Sequence, residues 1–146
     1  MAVAKVLARD WTIEVQLANE SYQAIGGINS FSPSPEKNDA DTTDFDSAGN
    51  LEHLPASRGM SYTFEGFFLV DVATGARDTG QERVEVLGDL VGPAGLGHMK
   101  LTSPPASGAE VWDFDCSINV TPPGGGNDDA ASWSFEATVS GAINKA

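Results

Sequence analysis

Cysteine is all but absent from this 146-residue chain. Cys116 stands alone, so no disulfide can form within the chain. The fold must therefore rest on its core, and a chain of this length buries about 68–70% of its unfolded surface, which is enough. Positive charge is scarce as well: 8 Lys and Arg stand against 21 Asp and Glu, a net charge of −13. A protein that holds nucleic acid by neutralising phosphates needs a basic face, so that class is excluded. Docking on an anionic membrane is disfavoured for the same reason. Long apolar runs are missing too. Lys5 and Arg9 interrupt the first ten residues before a signal-peptide core could form, and no stretch approaches a membrane span. The expectation is a protein made in the cytosol. Disorder does not follow from the acidity, because charged residues are 20% and aromatics 8%, near globular averages.

What the chain does have is turns and a period of two. Gly and Pro make up 24 of the 146 residues, more than the usual ~12%. Trp11, Ile13, Val15 and Leu17 alternate with polar neighbours. So do Trp112, Phe114, Cys116, Ile118 and Val120, and again Trp133, Phe135, Ala137 and Val139. Such alternation predicts strands with one dry and one wet face, as in antiparallel sheets. Residues 61–73 differ: Tyr62, Phe64, Phe68, Val70 and Val72 make one face while Phe67 and Leu69 load the other. A strand apolar on both faces needs a second cover, from a helix or another subunit. Shorter strands are expected at 22–31 and 98–103. One helix is expected near 79–91, with capping-box spacing from Thr79 to Glu82, a stripe of Val84, Leu87, Leu90 and Val91, and a stop at Gly92-Pro93. Residues 32–60 read as one long irregular segment, opened by Ser-Pro-Ser-Pro and rich in Asp, too long for an idle connection. Residues 122–129 read as a flexible loop. No repeat or domain boundary is visible, so 1–146 reads as a single all-β, mainly antiparallel domain with one flanking helix.

No chemical constellation is complete. Asp39, Asp41, Asp44 and Asp46 form the densest oxygen cluster, of a kind calcium favours. An EF-hand register starting at Asp44 fails at Ala48 and Pro55, where ligands are needed. Cys116 with His53 or His98 could be written as a dyad. Cys116, however, lies on the dry side of its strand beside Asp113 and Asp115, which oppose thiolate formation. Asp113 and Asp115 sit about 7 Å apart on one wet face, but no aromatic platform for a sugar shares it. The glycine clusters lack the Lys-Ser/Thr and the helix of a phosphate cradle. The chain reads as a non-enzyme with no cofactor.

The order of segments is more informative. A Trp strand is followed by Ile25-Gly26-Gly27-Ile28-Asn29-Ser30-Phe31. Then comes an acidic segment with Asp41-Thr42-Thr43-Asp44, a Leu54-Pro55-Ala56-Ser57-Arg58-Gly59 turn, a strand at 62–66, and a closing aromatic strand ending Val139-Ser140-Gly141-Ala142-Ile143. Over nearly its whole length the chain resembles the major tail (tail tube) protein of long-tailed bacteriophages. The resemblance implies a β-sandwich or barrel with one flanking helix. It implies homo-hexameric rings that stack, with inner strands joined into one β-barrel around a channel in the virion. It also implies that genome DNA passes through without specific binding, that the tape measure protein fills the channel beforehand, and that tail-end proteins bind the tube. No membrane is involved, and no further C-terminal immunoglobulin-like domain is expected.

Within that picture the wet strand faces supply candidates for the channel lining: Glu14, Gln16, Asp113, Asp115, Asn119, Glu136 and Thr138. The candidates for contacts between subunits are Phe45, Leu51, Leu54, Arg58, Phe67 and Leu69, with 32–60 reaching to a neighbour. Six copies bring about −78 per ring, so Arg58, Arg77, Arg83 or Lys100 is expected to pair with acids across interfaces. A second reading stays open, a monomeric β-sandwich module binding a sugar or calcium, supported by Asp39–Asp46 alone.

Overall fold

The structure, a computed structural model, describes residues 5, 7–104 and 110–145. Its framework is one antiparallel sheet of seven strands: β1 (Thr12–Gln16), β2 (Tyr22–Ala24), β3 (Ile28–Asp41), β4 (His53–Phe67), β5 (Leu96–Thr102), β6 (Val111–Gly124) and β7 (Ser132–Lys145). They lie in the order β2-β1-β5-β6-β7-β4-β3. The two edge strands are consecutive in the chain and joined by only Ile25, Gly26 and Gly27. The sheet therefore curls until its edges nearly meet, and the chain itself closes it into a barrel.

Glycine makes that corner possible. Gly27 has φ +78°, and its carbonyl accepts from the Phe67 amide at 3.0 Å. A Cβ on Gly66 would run into the Gly27 backbone, and one on Gly27 would meet the Phe67 carbonyl.

The alternating runs behave as their period predicts. Ile13 and Val15 of β1, Phe114, Cys116 and Ile118 of β6, and Trp133, Phe135 and Ala137 of β7 all point into the barrel and are buried. Rings stack across the strands: Phe64 lies 4.8 Å from Phe135, and Tyr62 lies 5.3 Å from Phe114. Trp11, Trp112 and Phe31 cluster where β1, β6 and β3 come together.

The helix α1 (Thr79–Asp89) plugs the opposite end. Val84 and Leu87 are buried beneath it. Gln81, fully buried, donates to the carbonyls of Gly26 (2.9 Å) and Phe67 (2.8 Å) and accepts from the Leu69 amide (3.2 Å). Arg83 donates to the Gln16 carbonyl at 3.1 Å. Glu85 takes a bidentate pair from Arg77 (2.7 and 2.9 Å) and a third bond from Trp133 Nε1 (3.1 Å). One helix thus ties down the ends of β1, β4 and β7 and the β2–β3 corner.

Several expectations need correction. The cap is Asp78, one residue before Thr79. Its carboxylate accepts from the Gln81 amide and also from the Gly26 amide, so tertiary contact decides the register. Leu90 and Val91 lie beyond the helix and are exposed. The strand expected over 61–73 ends at Phe67. Residues beyond it turn back through a Val70–Arg77 bridge, with Arg77 stacked 4.1 Å over Phe68. Part of the second cover for this apolar stretch comes from the chain itself, since Leu69 packs on Gly26 and Gly27. The loop expected at 122–129 is shorter, because β6 runs to Gly124.

The largest correction concerns 32–60. It is a two-stranded ribbon, paired from Ser34–Ser61 out to Asp41–His53. β4 bonds to β7 only from Ser61 to Phe67, so the outer part of the ribbon stands clear of the barrel and is exposed on both faces. With neither face dry, its sequence carries no apolar period to read. Pro33 and Pro35 fall on edge strand β3 and, two residues apart, remove donors on one side only. Pro55 sits at the bulge opposite Asp39.

The plug makes stability depend on pH. Bonds from Arg77, and then from Trp133, hold the Glu85 carboxyl below its usual 4.5, against the opposing effect of burial. A carboxyl lowered on folding stabilises the fold above its unfolded pKa and ceases to do so as pH falls through the folded value. Glu85→Gln is expected to cost about 1–2 kcal/mol at neutral pH and progressively less as pH falls below 4.5. Urea unfolding across that range measures the difference.

Candidate functional site

The register places every wet residue of the sheet in a row across strands. Three such rows cross β3, β4, β7 and β6: Ser30–Glu65–Ser134–Thr121, Ser32–Thr63–Glu136–Asn119 and Ser34–Ser61–Thr138–Ser117. Nine of these twelve side chains are hydroxyls, two are carboxylates and one is an amide. No lysine, arginine or large apolar residue interrupts them. The intervening rows, such as Phe31–Phe64–Phe135–Val120, face the core. The result is a four-strand surface that is hydrophilic, free of cations and weakly acidic.

The seven lining candidates divide between two parts of the outer face. Asn119, Glu136 and Thr138 belong to the hydroxyl rows. Glu14, Gln16, Asp113 and Asp115 lie on the β1–β5–β6 side, where charges are already matched. His98 Nδ1 meets Asp115 at 2.8 Å and Nε2 meets Asp113 at 3.1 Å. Carboxylates only accept, so a ring nitrogen that carries a proton is the donor at each contact. Asn144 donates to the other Asp113 oxygen at 2.9 Å. Lys100 lies 3.8 Å from Glu14 and 4.2 Å over the Tyr22 ring. Ser61, Thr63 and Glu65 were missed in the sequence because the aromatic load of 61–73 masked their alternation.

The ribbon tip is built from its own polar side chains. Asp41 accepts from the Thr43 amide at 2.9 Å, and bonds from Thr43 lower its pKa. Asp44 accepts from the Asp46 amide and caps a turn at Phe45–Ser47, while Ser47 donates back to its carboxylate. The acidic cluster is thus partly occupied with folding the tip. Among the described residues, no group of three or more His, Cys, Asp or Glu side chains is placed to hold a metal ion. Exposed apolar side chains crown this tip: Phe45 is 105% exposed, Leu51 77% and Leu54 61%. Phe67 (43%) and Leu69 (37%) lie at the other end, beside the helix plug.

Of the cations expected to pair across interfaces, three are engaged within the chain: Arg77 with Glu85, Lys100 with Glu14, and Arg83 with the Gln16 carbonyl. Arg58, on the ribbon, has no carboxylate partner among the described residues.

No protein-family model matches the sequence, and no curated protein does either. Solved structures do match. The tail of an empty gene transfer agent particle with C6 symmetry superposes with a TM-score of 0.69 at 20% identity, covering 96% of this chain and 98% of that one. The SPP1 tail tube gives 0.72 at 13% identity, covering 97% and 78%. A chain of the anti-feeding prophage baseplate gives 0.59 at 11% identity, covering 100% and 97%. The chain has the tail-tube fold. At these identities the likeness is one of fold, and it extends over essentially the whole chain, ribbon and helix included.

Among the described residues of this tail-tube fold, nothing activates Cys116. It is buried, and burial followed by the neighbouring Asp115 pushes its thiol up to about 12. The native protein is therefore expected to resist alkylation by iodoacetamide at neutral pH and to react once unfolded, as followed by mass spectrometry. Rapid native labelling would contradict the buried site.

Proposed function

We propose that this chain is the structural subunit of a phage-type tail tube, without catalytic activity. It assembles with itself into stacked six-fold rings in a virion, and the rings enclose a channel for DNA. The observation that carries the reading is the cation-free face of β3, β4, β7 and β6. On a tail-tube fold, such a face suits a channel wall. Phosphates passing it meet hydroxyls and a few carboxylates, so DNA is kept hydrated and weakly repelled over a screening length of about 8–10 Å. Asn119, Glu136 and Thr138 are the lining residues best supported, joined by Ser61, Thr63 and Glu65. Glu14, Asp113 and Asp115, already in contact with Lys100 and His98, and Gln16, bonded to the Glu20 carbonyl, fit the lining less well.

Contacts between subunits fall to the ribbon, through Phe45, Leu51, Leu54 and Arg58, with Phe67 and Leu69 at the plugged end. A two-stranded ribbon is marginal alone, and one that ends in an exposed Phe gains most from a neighbour. The tape measure protein and tail-end proteins would meet the same channel and rims.

Purified protein is expected to form rings or rods with a central hole in negative stain, more readily at moderate salt. Replacing residues 36–57 by a short turn should leave a folded monomer, with the native circular dichroism spectrum, that no longer stacks. Normal tubes from that deletion would remove the ribbon from its proposed role. A protein that never assembles, even when seeded with tail fragments, would remove the tube reading itself.

A further inference from the structure

The ribbon and the end of β7 diverge, and the space between them is a groove. β4 leaves β7 after the Ser61–Thr138 pair. β7 then bulges between Ser140 and Asn144 against β6, with Gly141 at φ +85°, and bends away. The concavity holds about 490 Å³. Met60, Val139 and Ile143 form its floor, continuous with the core, and Arg58 and Lys145 flank it. Lys37 stands directly across the ribbon from Arg58. In a chain of −13, three of the eight Lys and Arg thus gather here, and none has a carboxylate partner among the described residues. Like charges facing each other across a ladder are unfavourable unless an anion joins them.

The same chain carries a surface of opposite character. The ribbon tip sets Asp41, Asp44, Asp46 and Glu52 around the exposed Phe45 and Leu51. It offers an apolar centre and an anionic rim, where the groove offers an apolar floor and a cationic rim. The tip cannot reach its own groove. The ladder from Ser61 to His53, with its bulge at Asp39 and Pro55, holds the two roughly 25 Å apart by strand geometry.

We infer that the groove between the ribbon and the end of β7 is the socket for the ribbon tip of a second copy of this chain. The inference rests on the self-assembly reading and specifies where the ribbon lands. Each copy then gives its tip to one neighbour and receives a tip from another. That contact is head-to-tail and does not close on two copies, so it propagates.

The test uses the full chain and two charge reversals. One alters the groove, Arg58→Glu with Lys145→Glu. The other alters the tip, Asp44→Lys with Asp46→Lys. Each alone is expected to raise the protein concentration needed for rods by about tenfold or more at low salt. An equimolar mixture should restore assembly, because the acidic tip of the first fits the basic groove of the second, and the basic tip of the second fits the acidic groove of the first. Independently of charge, Phe45→Cys with Ala142→Cys should give a ladder of disulfide-linked oligomers on mild oxidation of assembled protein. Wild-type rods together with unaffected reversals, no rescue on mixing, or no ladder would overturn the socket and leave the tube reading intact. Absence of rods from the wild type would overturn both.

Discussion

Three residues carry the chain from one edge of the sheet to the other, and the rest of the structure depends on that short crossing. Ile25, Gly26 and Gly27 are too few to let β2 and β3 lie apart, so the seven-strand sheet must curl closed. Closure brings Gly66 against Gly27 with no room for a Cβ. It places the Gly26 and Phe67 carbonyls where a single buried amide, Gln81, satisfies both. The helix is held there as a plug, and its cap residue, Asp78, bonds to the same corner. Corner, plug and barrel are one cooperative unit: loss of Gln81 would leave buried backbone groups without partners, and a side chain at Gly27 or Gly66 would collide with backbone.

Closure also decides which face of the sheet meets the outside. With the aromatic rows turned inward, every hydroxyl row is turned outward. Because β3 and β4 continue past the barrel, the outer face also gains a ribbon that the barrel does not need for its own core. A domain built only for stability would have ended those strands near Ser34 and Ser61. The extra length is exposed on both faces, which is why the proposed function gives it a role between chains.

The sequence was legible where one face of a strand is dry. β1, β6 and β7 follow their apolar alternation, and α1 follows the Val84–Leu87 part of its expected stripe but ends at Asp89, short of Gly92-Pro93. It was illegible where that signal is missing or misleading. The ribbon is wet on both sides, so strand pairing leaves no period in 34–41 or 53–60. The run Phe67-Phe68-Leu69 looks like more strand, yet it is the chain turning off the ladder to pack on a glycine corner. No local pattern announces that corner. For the candidate site, alternation identified Asn119, Glu136 and Thr138 on a wet face. The neighbours that complete their rows, Ser61 and Thr63, became visible only through the register. The matching of Asp113 and Asp115 by His98 is likewise a contact between strands 15 and 17 residues apart.

The net charge of −13 first serves to exclude partners, but its distribution is what the fold adds. His98, Lys100 and Arg77 are spent within the barrel, each against a carboxylate. Of the acids left over, Asp39, Asp41, Asp44, Asp46 and Glu52 gather at the ribbon tip, and Glu65 and Glu136 lie on the hydroxyl face. Of the cations left over, Lys37, Arg58 and Lys145 gather where ribbon and barrel part. Copies of a uniformly acidic sphere would repel one another in every orientation. In the proposed socket, copies of this molecule would repel broadly yet attract along one axis, with the tip of one toward the ribbon base of the next. Screening by salt weakens the diffuse repulsion first, because those charges are exposed and far apart, whereas a docked pair is closer than a Debye length. On the proposed reading, the acidity that would keep DNA from adhering to a channel wall is compatible with a single direction of growth.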